Sequence, residues 1–264
     1  MIKKISLILL LLGCSFLLFP SEGDDIFREG LTAFERGEYF IAYRQFTRLV
    51  EEEPFYYYRA NAVFWQGKSL YMMGDYVQAG ALLDQYLINW PDNSYYEEAL
   101  YLVGKNYYSQ DNYQSALEAF IRFAEDYSGS DRYSHTLYWM GESLYNLGHI
   151  EEAAQLYDRI INEYPLSSKK EAARYRLALI EIKTREEKLL ELLKWSHEEF
   201  LKSGQDGSRE KAVYEEALKA YQEQVTLLSE RERYMRHKNK LLLLKERALE
   251  LKSFYLEQKE ALLP

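Results

Sequence analysis

Small and apolar residues recur along the chain at an interval of 37 positions. Glycines within an apolar stripe repeat at this interval, at Gly30, Gly67, Gly104 and Gly141, with Ala178 in a fifth copy. Alanines later in each copy coincide in the same way, and each is followed four residues on by a large side chain: Ala42 by Phe46, Ala79 by Leu83, Ala116 by Phe120 and Ala153 by Tyr157. No insertion or deletion interrupts four copies, so the pattern predicts four full repeats and a partial fifth.

Each copy has the spacing of two amphipathic helices joined by a short turn. In the third copy Ala99, Val103 and Tyr107 form a helical stripe, and a second helix is expected from about Tyr113 to Tyr127. The turns hold Gly-Glu, Gly-Asp or Asp-Asn pairs, and glycine accepts the positive φ that a helix end often needs. A glycine inside a helix costs about 1 kcal/mol, so its recurrence predicts that two helices approach closely there. The predicted fold class is all-α.

The order of small residue, turn, Ala-x₃-aromatic and proline resembles the tetratricopeptide repeat (TPR) family. The usual repeat of that family has about 34 residues, and the three extra residues here lengthen the turn between repeats. The resemblance covers residues 24–165 and extends through a first-helix-like segment to 183, so we expect a TPR array over 24–183. It implies a right-handed superhelix with a concave and a convex face.

The N-terminal residues 1–23 are typical of an export signal. Lys3 and Lys4 precede an apolar run of 15 residues, Ile5 to Phe19, which is short of the roughly 20 needed to span a bilayer. The string Leu-Leu-Gly-Cys ending at Cys14 resembles a bacterial lipobox, which makes Cys14 a candidate for lipidation. Ordinary signal cleavage after the small residues near Ser21–Gly23 is favoured over lipidation, and an uncleaved anchor is the third alternative. Each of these predicts an exported protein, in the periplasm or at the periplasmic face of the outer membrane.

With this export signal, the repeats resemble two groups of bacterial envelope proteins. One is the TPR lipoprotein of the outer-membrane β-barrel assembly machine, and the other is the periplasmic TPR protein associated with the Tol–Pal system. The chain lacks the N-terminal coiled coil of the second group and has a helical tail instead.

Residues 184–264 depart from the repeat and form a helical C-terminal extension with a hinge at 203–208. From Arg209 to Leu263 neither glycine nor proline occurs, which would allow a helix of roughly 80 Å. Its apolar stripe changes phase after Leu228, so three roles stay open: capping the end of the array, self-association as a coiled coil, or binding a partner. The coiled-coil alternative would make the protein an oligomeric spacer.

Composition and charge exclude several classes of protein. One cysteine among 264 residues rules out a disulfide framework, and a net charge of −9 argues against nucleic-acid binding. The charge is divided: residues 23–166 have 10 basic and 23 acidic side chains, a net −13, whereas residues 167–264 have 21 and 18, a net +3. A basic cluster in the tail makes four residues candidates for contact with an anionic surface: Arg233, Arg236, Lys238 and Lys240.

No pattern of catalysis, cofactor binding or metal binding is present in the sequence. The four histidines stand singly, and His197-Glu198 lacks the second histidine of a zinc helix because Leu201 occupies that position. No phosphate-binding loop or nucleophile elbow occurs. We therefore expect neither an enzyme nor a cofactor.

The tyrosines are concentrated in the repeats, where 21 of the 25 precede residue 184. The TPR resemblance implies that first-helix side chains line a concave groove that binds a protein or peptide segment, although these rings could equally pack between helices. The candidate groove residues are Phe27, Phe64, Tyr101, Tyr138 and Tyr175, then Phe34, Tyr71, Tyr108 and Tyr145, with Lys68 and Lys105. A second cluster of tyrosines, including Tyr57, Tyr58 and Tyr95, lies at the turns between repeats. The predicted function is a protein-binding scaffold of the bacterial envelope.

Overall fold

The computed structural model describes residues 22–53, 57–202 and 208–261, and these residues form α-helices and turns without a strand. The prediction of an all-α fold is confirmed. The signal segment up to residue 21, including Cys14, and the hinge residues 203–207 lie outside the described residues. The helices are α1 (Glu22–Glu35), α2 (Tyr39–Glu52), α3 (Arg59–Met73), α4 (Tyr76–Asn89), α5 (Tyr96–Ser109), α6 (Tyr113–Asp126), α7 (Tyr133–Asn146), α8 (Ile150–Glu163), α9 (Lys170–Lys202) and α10 (Ser208–Ala261).

Helix starts recur at the interval of the sequence repeat. Second helices begin at Tyr39, Tyr76, Tyr113 and Ile150, and first helices begin at Arg59, Tyr96, Tyr133 and Lys170. Each helix therefore occupies the same place in its copy.

The turn within each of the four copies has one residue with positive φ, at Gly37, Gly74, Asp111 and Gly148. Gly74 shows the consequence: its N–H donates to the carbonyl of Tyr71, and the next N–H donates to the carbonyl of Leu70, both at 3.0 Å. These bonds satisfy carbonyls at the helix end and stop the helix.

The fifth copy has no such stop. Arg185 occupies the position of the turn glycines, and α9 continues without interruption from Lys170 to Lys202. An arginine adopts positive φ only at a cost, so the helix is extended instead of ended. The expected boundary between residues 183 and 184 lies inside this helix.

The chain divides into two compact units, residues 1–119 and 120–264. In the first unit each of α1 to α4 packs against the next helix in sequence. In the second unit α7 packs on α8, α8 on α9, and α9 on α10. The core of the second unit includes Leu137, Tyr157, Ile160 and Ala173.

The recurring glycines lie where a second-helix side chain crosses the first helix. A Cβ atom added at Gly141 would lie 2.8 Å from Cε1 of Tyr157, and one at Gly30 would lie 2.7 Å from Cε1 of Phe46. The paired alanines, Ala42 and Ala153, have no exposed surface. The close approach predicted from the sequence is present at Gly30, Gly67 and Gly141, where the large side chain four residues after the alanine fills the space above the glycine.

Candidate functional site

The first set of candidate groove rings lies mainly in the interior. Phe64 has an exposed fraction of 0%, and Tyr101, Tyr138 and Tyr175 are also buried. Phe27 is half-buried and meets the ring of Phe46 edge-on, with 5.6 Å between the ring centroids. Of the two alternatives considered for these rings, packing between helices describes the four buried ones, since they offer little surface to a ligand.

The residue immediately before three of the first helices, α3, α5 and α9, covers the aromatic ring of the preceding first helix. Tyr58 stacks on Phe27 with 6.3 Å between centroids, and Tyr95 stacks on Phe64 at 4.7 Å with an interplanar angle of 10°. In the second unit Lys169 occupies this position, and its Nζ lies 4.9 Å from the ring centroid of Tyr138. The two turn tyrosines therefore join successive repeats, which the TPR pattern alone did not explain.

The second set of candidate rings is more accessible, except for Phe34. Phe34 is buried, whereas Tyr71, Tyr108 and Tyr145 are half-buried in the last turn of their helices. Tyr71 packs on Tyr76 with 5.5 Å between centroids, and Tyr108 packs on Tyr113 at 5.3 Å. Each phenol thus has one supported face and retains exposed surface.

Each of the two candidate lysines lies against aromatic rings of its own helix and of the preceding first helix. Lys68 Nζ is 4.3 Å from the Trp65 ring and 2.7 Å from Glu98 Oε1, with 16% of its side chain exposed. Lys105 Nζ lies 5.7 Å from the ring centroid of Tyr71 and 5.9 Å from that of Tyr101. Cation–π contacts of this kind hold an ammonium group near aromatic surface.

We name Lys68, Tyr71, Lys105 and Tyr108 the tyrosine–lysine face of the first unit. Lys105 and Tyr108 are three residues apart and therefore lie on one side of α5. Chemically the face combines half-exposed phenol rings with ammonium donors, a set that can contact apolar side chains and donate hydrogen bonds to carboxylate or carbonyl oxygens.

In the second unit a buried acid takes the place of these lysines. Glu142 follows Lys105 by 37 residues and is 3% exposed. It accepts a hydrogen bond of 2.7 Å from Tyr157 Oη, one of 2.6 Å from Arg176 Nε, and a second from Arg176 Nη2. Burial raises the pKa of Tyr157, and the Glu142 carboxylate raises it further. Burial lowers the pKa of Arg176, but the hydrogen bonds and charge of Glu142 outweigh this and raise it overall.

Tyr145 lies between two cations of α9. The Arg176 guanidinium is 5.1 Å and Lys183 Nζ is 5.4 Å from the Tyr145 ring centroid, and Lys183 Nζ also donates to Tyr145 Oη at 2.8 Å. Tyr145 is thus an internal contact of the second unit.

Sequence reasoning missed Glu142, Lys169, Arg176 and Lys183. The available signal was substitution at a repeat position: Arg176 replaces Trp65 and Trp139, and Lys169 replaces Tyr58 and Tyr95.

Helix α10 folds back on α9. The rings of His197 and Tyr214 are 5.2 Å apart. Burial raises the pKa of Tyr175, near the start of α9. The charge of Arg236 lowers this pKa and the charge of Glu232 raises it, so both α10 side chains lie beside the start of α9. The end of α9 therefore lies beside the start of α10, and the start of α9 lies beside a later part of α10, so the two helices are antiparallel.

The four basic candidates of the tail differ in their surroundings. Arg236 is 2.5 Å from Glu232, and Arg233, Lys238 and Lys240 are exposed. Among the described residues, no three His, Cys, Asp or Glu side chains are grouped as a metal ion would need, and no described helix is long and apolar enough to cross a bilayer.

Sequence comparison matches two families to parts of the chain. The tetratricopeptide repeat family matches residues 98–130 and 135–167, and the outer membrane lipoprotein family matches residues 21–113. No curated protein matches the chain.

Two solved structures share the fold at low sequence identity. A tetratricopeptide repeat protein from Parabacteroides merdae superimposes with a TM-score of 0.52 at 14% identity, covering 88% of this chain and 96% of that one. A crystal structure of the MamA protein superimposes with a TM-score of 0.50 at 16% identity, covering 80% and 94%. The chain therefore contains tetratricopeptide repeats, and its N-terminal part resembles the outer membrane lipoprotein family.

Proposed function

We propose that this chain is a protein-interaction scaffold of the bacterial envelope that binds a segment of another protein on its tyrosine–lysine face. The main support for this proposal is that Tyr71 and Tyr108 keep exposed surface beside Lys105, whereas most of the other candidate rings are buried. The tetratricopeptide repeats support the general role, since such repeats serve as surfaces for protein partners.

The chemistry of the face defines the class of ligand. Phenol rings held against a second ring lose little rotamer freedom on binding, so they contribute contact area at low entropic cost. Lys105 Nζ lies between the rings of Tyr71 and Tyr101 on this face, where an ammonium group can donate to a carboxylate of the partner. The proposed ligand is an extended or helical segment with apolar side chains and at least one carboxylate that reaches Lys105.

Photo-crosslinking at defined positions tests this surface. A photoreactive residue at Tyr71 or Tyr108 should give one discrete adduct with an envelope protein, and Lys105→Glu should reduce its yield about tenfold by placing two carboxylates together. The matched control positions are Val77 and Ile88, two exposed apolar residues of α4. Equal adducts at all four positions, or an adduct insensitive to Lys105→Glu, would contradict the proposal.

The envelope location rests on the N-terminal segment and on the match of residues 21–113 to the outer membrane lipoprotein family. We propose that the chain is exported and that Cys14 is the point of lipid attachment. Mass spectrometry of the mature protein tests this: an acylated N-terminal Cys14 supports the anchor, whereas a free N-terminus near Asp24 retains export and excludes the anchor.

A further inference from the structure

The antiparallel helices α9 and α10 leave a second apolar row on α10 exposed. Tyr214, Leu218, Tyr221, Val225 and Leu228 are half-buried along the side that faces α9. Leu227, Tyr234 and Leu241 remain 64%, 67% and 54% exposed. These three are seven residues apart, about two turns, so they lie in one line along the helix.

The exposed row is on the opposite side of α10 from the half-buried one. Leu227 follows Leu218, and Tyr234 follows Val225, by nine residues each. Nine residues correspond to about two and a half turns, which places each pair on opposite sides of the helix. Packing on α9 therefore does not account for the exposed row.

A row of basic residues accompanies the apolar one. Each exposed apolar residue is followed four positions later by a basic side chain: Leu227 by Arg231, Tyr234 by Lys238 and Leu241 by Lys245. A separation of four residues places the members of each pair next to each other on the helix surface. All three basic side chains are exposed, and residues 227–245 contain six basic and two acidic residues. We name the three exposed apolar residues and their three basic neighbours the tail row: Leu227, Tyr234, Leu241, Arg231, Lys238 and Lys245.

We propose that the tail row is a docking surface for an anionic phospholipid membrane, on which α10 lies parallel to the bilayer plane. Apolar side chains that enter the headgroup region beside lysine and arginine that bind phosphate are the features of interfacial helices. Arg236 is not part of this surface, because it pairs with Glu232 beside Tyr175. The proposal is independent of ligand binding at the tyrosine–lysine face.

Charge and spacing favour a membrane over a second copy of the chain. A coiled-coil seam needs apolar residues at alternating intervals of three and four. The intermediate positions after Leu227 and Tyr234 are polar, Glu230, Arg231, His237 and Lys238, and an apolar residue, Leu244, follows only Leu241. Two copies joined through this row would also bring like charges together. An anionic bilayer provides apolar depth and negative charge on the same plane.

Vesicle flotation of the chain from Glu22 onward, which retains every described helix, tests the proposal. Binding to vesicles that contain phosphatidylglycerol should exceed binding to phosphatidylcholine vesicles about tenfold, and should fall several-fold between about 50 and 300 mM salt. Reversing three charges in the row, with Arg231→Glu, Lys238→Glu and Lys245→Glu, should remove about nine-tenths of the binding. A matched reversal outside the row, with Lys188→Glu, Lys194→Glu and Lys211→Glu, should change it less than about twofold.

A fluorescent label shows whether the row itself enters the interface. The only cysteine of the chain is Cys14, so Tyr234→Cys in the chain from Glu22 accepts one environment-sensitive dye. Its emission should shift to the blue with phosphatidylglycerol vesicles, whereas a dye at Lys211→Cys should not shift. Equal loss of binding in both triple variants would overturn the proposal. A blue shift without lipid that grows with protein concentration would overturn it in favour of self-association.

Discussion

A single side chain of the second helix explains why a glycine is needed at the middle of the first helix. The ring of Tyr157 lies over Gly141, and its hydroxyl group is held by the buried Glu142. The ring therefore has little freedom to move away from an added methyl group. At this scale the sequence predicted the close approach correctly, because a glycine inside a helix requires a compensating contact.

Gly141→Ala is expected to destabilise the fold. The strain of overpacking, about 1–3 kcal/mol, should exceed the roughly 1 kcal/mol that alanine contributes through helix propensity. Urea denaturation measures the difference. Gly129→Ala is the matched control, because nothing lies within 4 Å of a Cβ atom added there, and it should be nearly neutral. A stabilised Gly141→Ala variant would show that Tyr157 can move aside.

Buried tyrosines should make the protein sensitive to alkali. The pKa values of Tyr86 and Tyr157 are raised in the fold, chiefly by burial. Below about pH 10 these groups are protonated in both the folded and unfolded states, and above it the unfolded chain loses the protons first. The free energy of unfolding should then fall by about 1.4 kcal/mol per pH unit for each such tyrosine.

Denaturation between pH 9 and 11 measures this slope, and Tyr157→Phe should make it shallower. An unchanged slope in Tyr157→Phe would contradict the assigned pKa shift.

At the scale of helices, an ion pair with a buried acid joins the fifth first helix to the fourth. Arg176 of α9 reaches Glu142 of α7, and Lys169 at the start of α9 covers the ring of Tyr138 with only 2% of its surface exposed. At this repeat position Lys169 thus takes the place of the stacking rings of Tyr58 and Tyr95. A repeat pattern reports which positions are shared, whereas these substitutions are visible only as departures from it.

A double-mutant cycle should measure the ion pair. Arg176→Met leaves Glu142 buried without its cation, which we expect to cost about 3–5 kcal/mol. Glu142→Gln together with Arg176→Met should cost less than the sum of the two single variants, because no charge is then left buried alone. Strict additivity in urea denaturation would show that the two side chains do not interact in solution.

At the scale of the second unit, α10 supports the extended part of α9. Residues 184–202 have Leu192 and Trp195 largely exposed, and the contact between His197 and Tyr214 joins this segment to α10. A charged single helix of this length is marginal in water without a partner.

Removing residues 203–264 should therefore expose amides of residues 186–199 to hydrogen exchange, with protection falling toward that of a frayed helix. Protection in α8 should persist. A shorter deletion, residues 246–264, is the matched control, because the antiparallel pairing of 197 with 214 brings the start of α9 opposite residue 241 or so. Retained protection after the longer deletion would show that α9 is stable alone.

The period of the sequence was sufficient to predict the helix pairs of the repeats and the close contacts at glycine, because these depend on residues a few positions apart in one repeat. The exposure of each aromatic ring was not predictable, since it depends on what the next copy presents. Phe64 is covered by Tyr95 and is buried, whereas Tyr71 keeps exposed surface beside Lys105. The course of α10 also required the tertiary structure: a helix with apolar residues on two sides can pack by either, and contact with α9 selects the side that includes Tyr214 and leaves Leu227, Tyr234 and Leu241 exposed.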